Sequence, residues 1–235
     1  MPRTDFSDGL YHENEVFEQL VSLDNKEILE LGCGAAAITR LVATNGRDRR
    51  ITAAEVDEIQ HNKNLLADDL ANVTFVRCGS EAISSENESF DVVAMFSSLH
   101  HVPVELMERA LHEVERVLRP GGVAYIAEPV FAGDFNELIR SFHDEELVRE
   151  TAYKAIKNSI ANGEFVEIDE VFFNAPLEYA SFEEFERNTL NVSHTDHQLS
   201  PDLYRSVKEN FLRRLQSVGA LFEIPYRVNL LQKLP

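Results

Sequence analysis

The chain has 235 residues, 44% of them apolar and 27% charged, an ordinary balance for one α/β domain with room for a sizeable core. Its 22 basic against 41 acidic residues leave a net charge of −19, a field that repels phosphate backbones and anionic lipid, so neither nucleic acid nor a membrane is expected as a partner. Two cysteines, Cys33 and Cys78, offer no disulfide framework and fit a reduced, cytoplasmic protein, while the opening "MPRTDFSDGL" lacks the apolar core of a signal peptide.

In chain order, residues 11–22 read as a short amphipathic helix and "EILEL" at 27–31 as a strand. Residues 35–44 follow as a helix, 50–55 as a second strand, 58–70 as a second helix and 73–77 as a third strand. The basic run "GRDRR" at 46–50 is interrupted by Asp48 and sits at a helix-to-strand turn. "FDVVAMF" at 90–96 is a continuous apolar run, the pattern of a strand buried on both faces. Residues 103–118 carry Leu106, Ala110, Leu111, Val114, Val117 and Leu118 on one helical face, "RPGG" at 119–122 stops the helix, and "VAYIAEP" is a fifth strand. Beyond Phe131 the pattern changes: 132–160 read as helical, 165–181 as extended, 181–190 and 201–217 as helical, and 221–234 as a closing strand. Strand and helix in alternation predict a doubly wound, mostly parallel sheet in a single domain over 1–235, with 131–200 as a helical lid. Ligands of such sheets bind beyond the carboxyl ends of the strands, which directs attention to Gly32–Ala37, Glu55–Asp57, Gly79–Glu81, Ser97–His101 and Glu128–Phe131.

Gly32 and Gly34 let the backbone turn sharply at the end of the first strand and approach a ligand closely. The following helix presents free N–H groups and a positive dipole end. Dinucleotides and S-adenosylmethionine both use this device, and "GCGAAA" at 32–37 does not separate them. Glu55 ends the second strand, where a carboxylate can accept from both ribose hydroxyls; Asp57 competes for that role.

The segments "ILELGCGAAAITRL", "ITAAEVD", "VTFVRCGSEAI", "FDVVAMFSSLHHVP" and "LHEVERVLRPGGVAYIAEP", in this order over about residues 26–129, resemble the class I S-adenosylmethionine-dependent methyltransferases. They resemble especially the group that includes the ubiquinone/menaquinone-biosynthesis C-methyltransferases. The resemblance implies a Rossmann-like, seven-stranded sheet and S-adenosyl-L-methionine as cofactor. It implies that Glu30, Gly32 and Gly34 frame the methionine end, that Glu55 holds the ribose, and that Ser97 lies beside the methionine moiety. "GSE" at 79–81 stands where the family usually has Gly-Asp, so Ser80 or Glu81 would meet the adenine amino group; Ala36 replaces a frequent third glycine.

Methyl transfer is an in-line displacement in which positioning does most of the work. A base is needed only where the acceptor carries a proton that must leave. His100 and His101, just past the fourth strand, and Glu128, ending the fifth, are the catalytic candidates. "SHTDH" at 193–197 offers His194, Asp196 and His197, but no third strong ligand is spaced with them, so no metal is expected; His194, His197 or Tyr204 would instead reach from the lid toward the acceptor. Cys33 and Cys78 read as small packing side chains, and the phenylalanines between 131 and 185 as core, some of them lining an apolar pocket. The expected function is methyl transfer to a small molecule. The alternatives are a cofactor-binding protein without transferase activity and a methyltransferase acting on protein or nucleic acid.

Overall fold

Strand and helix alternate through the first half of the chain, as its hydrophobic periods require. The elements are α1 (Glu13–Leu20), β1 (Glu27–Leu31), α2 (Ala37–Thr44), β2 (Arg50–Ala54), α3 (Glu58–Asn64), β3 (Val73–Val76), β4 (Phe90–Phe96), α4 (Met107–Val117) and β5 (Leu118–Pro129). There follow α5 (Gly133–Ile139), α6 (Glu146–Ala161), β6 (Phe165–Tyr179), α7 (Phe182–Phe185), a π-helical turn over Glu186–Leu190, α8 (Pro201–Leu212) and β7 (Ala220–Lys233). The computed structural model describes residues 6, 8–191, 197 and 199–234.

The strands form one seven-stranded sheet in the order β3-β2-β1-β4-β5-β7-β6. β1 to β5 run parallel, β7 is antiparallel to β5, and β6 is antiparallel to β7. This is the doubly wound, mostly parallel architecture expected from the alternation. The winding reverses between β1 and β4, and there the carboxyl ends of the strands open a crevice.

Period-two alternation sends strand side chains to two core layers. Leu29, Leu31, Val93, Met95, Ala124 and Ile126 pack on one face with α4 and α6. Ile28, Val92, Ala94, Tyr125 and Ala127 pack on the other with Val16 and Phe17 of α1 and Val42 of α2. α4 buries Met107, Ala110, Leu111, Val114 and Val117 at helical spacing. Each of the larger of these contributes about 1.5–3 kcal/mol of transfer free energy. A third cluster lies off the sheet: Leu138 and Ile139 of α5, Phe182 and Phe185 of α7, Val207 and Phe211 of α8, against Tyr179, Ala220 and Phe222 at the far ends of β6 and β7.

Several expected extents change: the helix expected over 201–217 ends at Leu212, and that over 103–118 begins at Met107. The helix from 58 stops at Asn64 rather than 70, because Leu65 and Leu66 face solvent and tertiary burial does not prolong it. The region 131–200 is not a lid throughout. α6 joins the layer against α4, burying Ala152, Ala155 and Ile156, and β6 pairs along β7 as the sheet's edge strand. Among the described residues, α5, α7 with the π-helical turn after it, and α8 stand off the sheet and cover its carboxyl edge. Among the described residues, no helix is long and apolar enough to cross a membrane.

Candidate functional site

The turn after β1 is fixed from three sides. The N–H groups of Gly32 and Cys33 both donate to the Ala54 carbonyl, at 3.0 and 2.9 Å. At Gly32 φ is +72°, and a Cβ there would lie 2.7 Å from Ser98 Cβ, so only glycine lets this turn pass beside the loop after β4. Gly34 donates its N–H to Glu55 Oε2 at 2.8 Å, and its carbonyl accepts from Asn64 Nδ2 at 2.7 Å. A Cβ at Gly34 would meet no protein atom within 4 Å, which leaves the turn open for a close ligand. Ala36 adopts a left-handed φ of +59°, a conformation that costs a non-glycine residue about 1–2 kcal/mol.

Glu55 is buried and its second oxygen accepts from the Asp57 N–H at 2.8 Å. Asp57 is exposed and caps α3, accepting from the N–H groups of Ile59 and Gln60 at 2.7 and 3.1 Å. Of the two acids, Glu55 is therefore the one that faces the glycine turn. Ser80 is buried in the loop after β3, and the Glu81 carboxylate folds back over Gly79, where an added Cβ would lie 2.4 Å from Glu81 Oε2.

Acidic groups converge near the carboxyl ends of β1 and β4. Glu30 accepts a 2.7 Å hydrogen bond from Thr39 Oγ1, and burial pushes its carboxyl up to about 7. Glu13, on α1, is likewise pushed up to about 7, by burial and then by the charge of Glu128, while a hydrogen bond from Ser97 opposes the shift. Glu13 Oε1 is buried without a hydrogen-bond partner. Ser97 sits at φ +49° and shares a 3.0 Å hydrogen bond with the Tyr226 hydroxyl. An orphaned carboxylate oxygen among like charges is an arrangement that a cation would relieve, and the positively charged methionine end of S-adenosylmethionine fits it. The open cradle at Gly34 and the carboxylate at Glu55 fit the rest of that cofactor. Sequence reading missed Glu13 and Asn64, since each joins the site only through the fold.

Ser97 and Tyr226 also line a cavity of about 330 Å³ between the sheet edge and the covering helices. Its walls include Phe135, Ile139, Phe142, Leu177, Tyr179 and Ile224, together with His100, His101, His143, Glu145, Arg149 and His197. His100 and His101 thus both reach this cavity. Glu128 is buried elsewhere: Oε1 accepts from the N–H groups of Ser98 and Leu99 at 3.1 and 2.9 Å, and Oε2 engages His100 Nδ1. Its carboxylate holds the loop after β4 and fixes the His100 ring. His101 is exposed as a residue, yet desolvation of its ring, and then the neighbouring His100, hold its pKa down to about 4. Burial alone would raise Glu145, but the hydrogen bond from His143, then the charges of His100 and Arg149, bring it down to about 2.

Of the covering-region candidates, His197 lines the cavity and its Nε2 donates to the Thr189 carbonyl at 3.1 Å. Tyr204 does not line it; its hydroxyl donates to Glu186 Oε1 at 2.7 Å. His194 and Asp196 lie outside the described residues. The fold instead assembles a ligand set that spacing could not reveal: His100, His101 and Glu145 place one donor atom each within 4.8 Å of one another.

Residues 28–122 match a family model described as "Methyltransferase domain". The phthiotriol/phenolphthiotriol dimycocerosates methyltransferase 1 of Mycobacterium ulcerans is 34% identical over 121 residues, which are 48% of this chain and 40% of that protein. The chain therefore spans well under two thirds of that relative's length. Among solved structures, the YcgJ protein of Bacillus subtilis superposes with a TM-score of 0.66 at 16% identity, covering 94% of this chain and 98% of the other. Haemonchus contortus phosphoethanolamine N-methyltransferase 2, solved in complex with S-adenosyl-L-methionine, superposes with a TM-score of 0.56 at 16% identity, over 95% of this chain and 52% of the other. The fold is that of the Rossmann-like class I methyltransferases.

Proposed function

We propose that this chain, whose residues 28–122 carry a methyltransferase domain on a class I methyltransferase fold, transfers a methyl group from S-adenosylmethionine to a small-molecule acceptor. The observation that carries the reading is the sharing of Ser97 between two halves of one cleft. On one side lie the Gly32–Gly34 turn with Glu55, Glu30 and Glu13; on the other lies the cavity under the covering helices. The cofactor supplies an activated methyl group on a sulfonium centre. In this reading Glu55 holds the ribose, Ser80 or Glu81 the adenine edge, and Glu30, Gly32, Gly34 and Ser97 the methionine end, with Glu13 added to them.

The acceptor's place is the 330 Å³ cavity, whose phenyl and aliphatic walls suit an apolar body and whose imidazoles suit a polar atom at the reacting end. The likeness of the sequence to ubiquinone/menaquinone-biosynthesis C-methyltransferases is in keeping with such an acceptor. With Nδ1 engaged by Glu128, His100 presents Nε2 toward the cavity. Glu128 is thereby a positioning residue, and His101, held near 4, is a weak base at neutral pH. The charge of −19 supports an acceptor that is not a nucleic acid, and the two free cysteines support a cytoplasmic setting.

Incubation with S-adenosylmethionine and a panel of small acceptors, read by mass spectrometry, tests the proposal. A methylated product and S-adenosylhomocysteine should accumulate together. Tight cofactor binding with no turnover on any acceptor would favour the binding-protein alternative.

A further inference from the structure

We infer that His100, His101 and Glu145 form a site for a divalent transition-metal ion of the zinc class, facing the acceptor cavity. Their donor atoms already lie within 4.8 Å of one another. The decisive feature is the His100 ring. Its Nδ1 is committed to the buried Glu128 carboxylate, which can only accept, so Nδ1 is the donor there and Nε2 is the nitrogen left for a ligand. That Nε2 faces Glu145 Oε1 at 3.8 Å. The two atoms oppose each other across a gap too wide for a hydrogen bond and suited to an ion between them. A carboxylate on the far nitrogen of a ligating histidine is the usual support of such a ligand, since it fixes tautomer and ring orientation.

The carboxylate ligand is also held in place by its neighbours. Glu145 is buried, with Oε1 accepting from His143 Nε2 at 2.8 Å and Oε2 from Arg149 Nε and Nη2 at 3.1 and 2.5 Å. The Arg149 cation opposes a metal charge, and the carboxylates of Glu128 and Glu145 offset it. Two imidazoles and one carboxylate are a donor set used by Zn²⁺ and Fe²⁺ sites that keep an open position. Bonds of about 2.0–2.2 Å would bring donor atoms to about 3.4 Å apart, so the set must close by about an ångström. The His101 ring, which lies against the His100 ring with centroids 4.1 Å apart, is the member that must shift. All three residues line the cavity, so on the transferase reading an acceptor oxygen would lie within reach of a bound ion; the metal site itself does not rest on that reading.

Zn²⁺ titrated into the chelator-stripped full chain by calorimetry tests the site, with Co²⁺ substitution reporting the ligand set through its visible d–d bands. About one ion per chain is expected. His101→Ala and Glu145→Gln should each weaken binding by about tenfold or more and alter the Co²⁺ bands. His112→Ala, on the outer face of α4 beside Glu164, should bind as the parent does. Circular dichroism checks that each variant is folded, and the exposed His101 makes its variant the safer of the two. Absence of stoichiometric Zn²⁺ binding would overturn the proposal; so would an unchanged affinity in His101→Ala. S-adenosylmethionine affinity is measured separately, so its failure would strike the transferase reading alone.

Discussion

Glu55 and Asp57 show how two acids two residues apart divide their tasks. Glu55 accepts from Gly34 and Asp57 N–H groups and faces the turn, while Asp57 closes the first turn of α3. Glu55→Ala should weaken S-adenosylmethionine binding by about 1.5–3 kcal/mol, the range for hydrogen bonds to a charged group. Asp57→Ala should leave that affinity nearly unchanged and cost about 0.5–2 kcal/mol of stability through the lost cap. Calorimetry and thermal melting separate the two, and a reversal of the affinity losses would reassign the ribose contact. The glycines, Glu30 and Glu55 were legible because a local motif carries them. Glu13 was not: its significance lies in an orphaned oxygen beside Ser97 and Glu128, far away in sequence.

Glu13 and Glu30 also set a pH dependence. Each is raised from 4.5 to about 7 in the folded chain, so the folded state holds more protons than the unfolded between those values. The protonated carboxyls favour folding below about 4.5, and that contribution is lost as pH rises through about 7. The two interact, so roughly 3 kcal/mol is an upper figure for either alone. His101 runs the other way: lowered from 6.5 to about 4, it makes stability rise with pH between those values. Comparing Glu13→Gln with the parent by urea denaturation from about pH 5 to 8 isolates the glutamate, and the variant should lose less stability as pH rises. Equal pH slopes would show that Glu13 titrates normally. Binding of the cationic cofactor near neutral pH should release protons, visible as a dependence of calorimetric heat on buffer ionisation.

At the scale of elements, the strongest periods gave the clearest predictions. α4 shows its buried stripe at helical spacing, and β4 shows a run that only two-sided burial explains. The extent of the covering region was less legible. β6 has an apolar alternation of its own, but whether it belongs to a lid or to the sheet depends on its pairing with β7, a long-range contact. The covering helices rest on the third cluster, where Phe211 packs against Phe182, Phe185, Tyr179 and Phe222. Phe211→Ala should cost about 3–5 kcal/mol and loosen that cover. If the cover shapes the acceptor's place, turnover should fall well before cofactor affinity does. Parallel losses of both would place the cofactor and the cover in one unit.

At the scale of the molecule, the winding of the sheet decides where chemistry can occur. Reversal between β1 and β4 brings the glycine turn, Glu55 and Ser97 to one edge, and the β6–β7 pair carries the covering helices over it. That topology was legible from the alternation of strands and helices, because right-handed crossovers leave few other arrangements. His100, His101 and His197 were named from the sequence, but the cavity that gathers them with His143, Glu145 and Arg149 was not, because it combines the loop after β4 with the segment after α5. The central claim is that this edge receives S-adenosylmethionine rather than a dinucleotide. Calorimetric titration of the full chain with S-adenosylmethionine, S-adenosylhomocysteine and NAD tests it most directly. The account predicts saturable heats with both adenosyl ligands, weakened by Glu55→Ala, and none with NAD. Tight NAD binding with no response to either adenosyl ligand would contradict it.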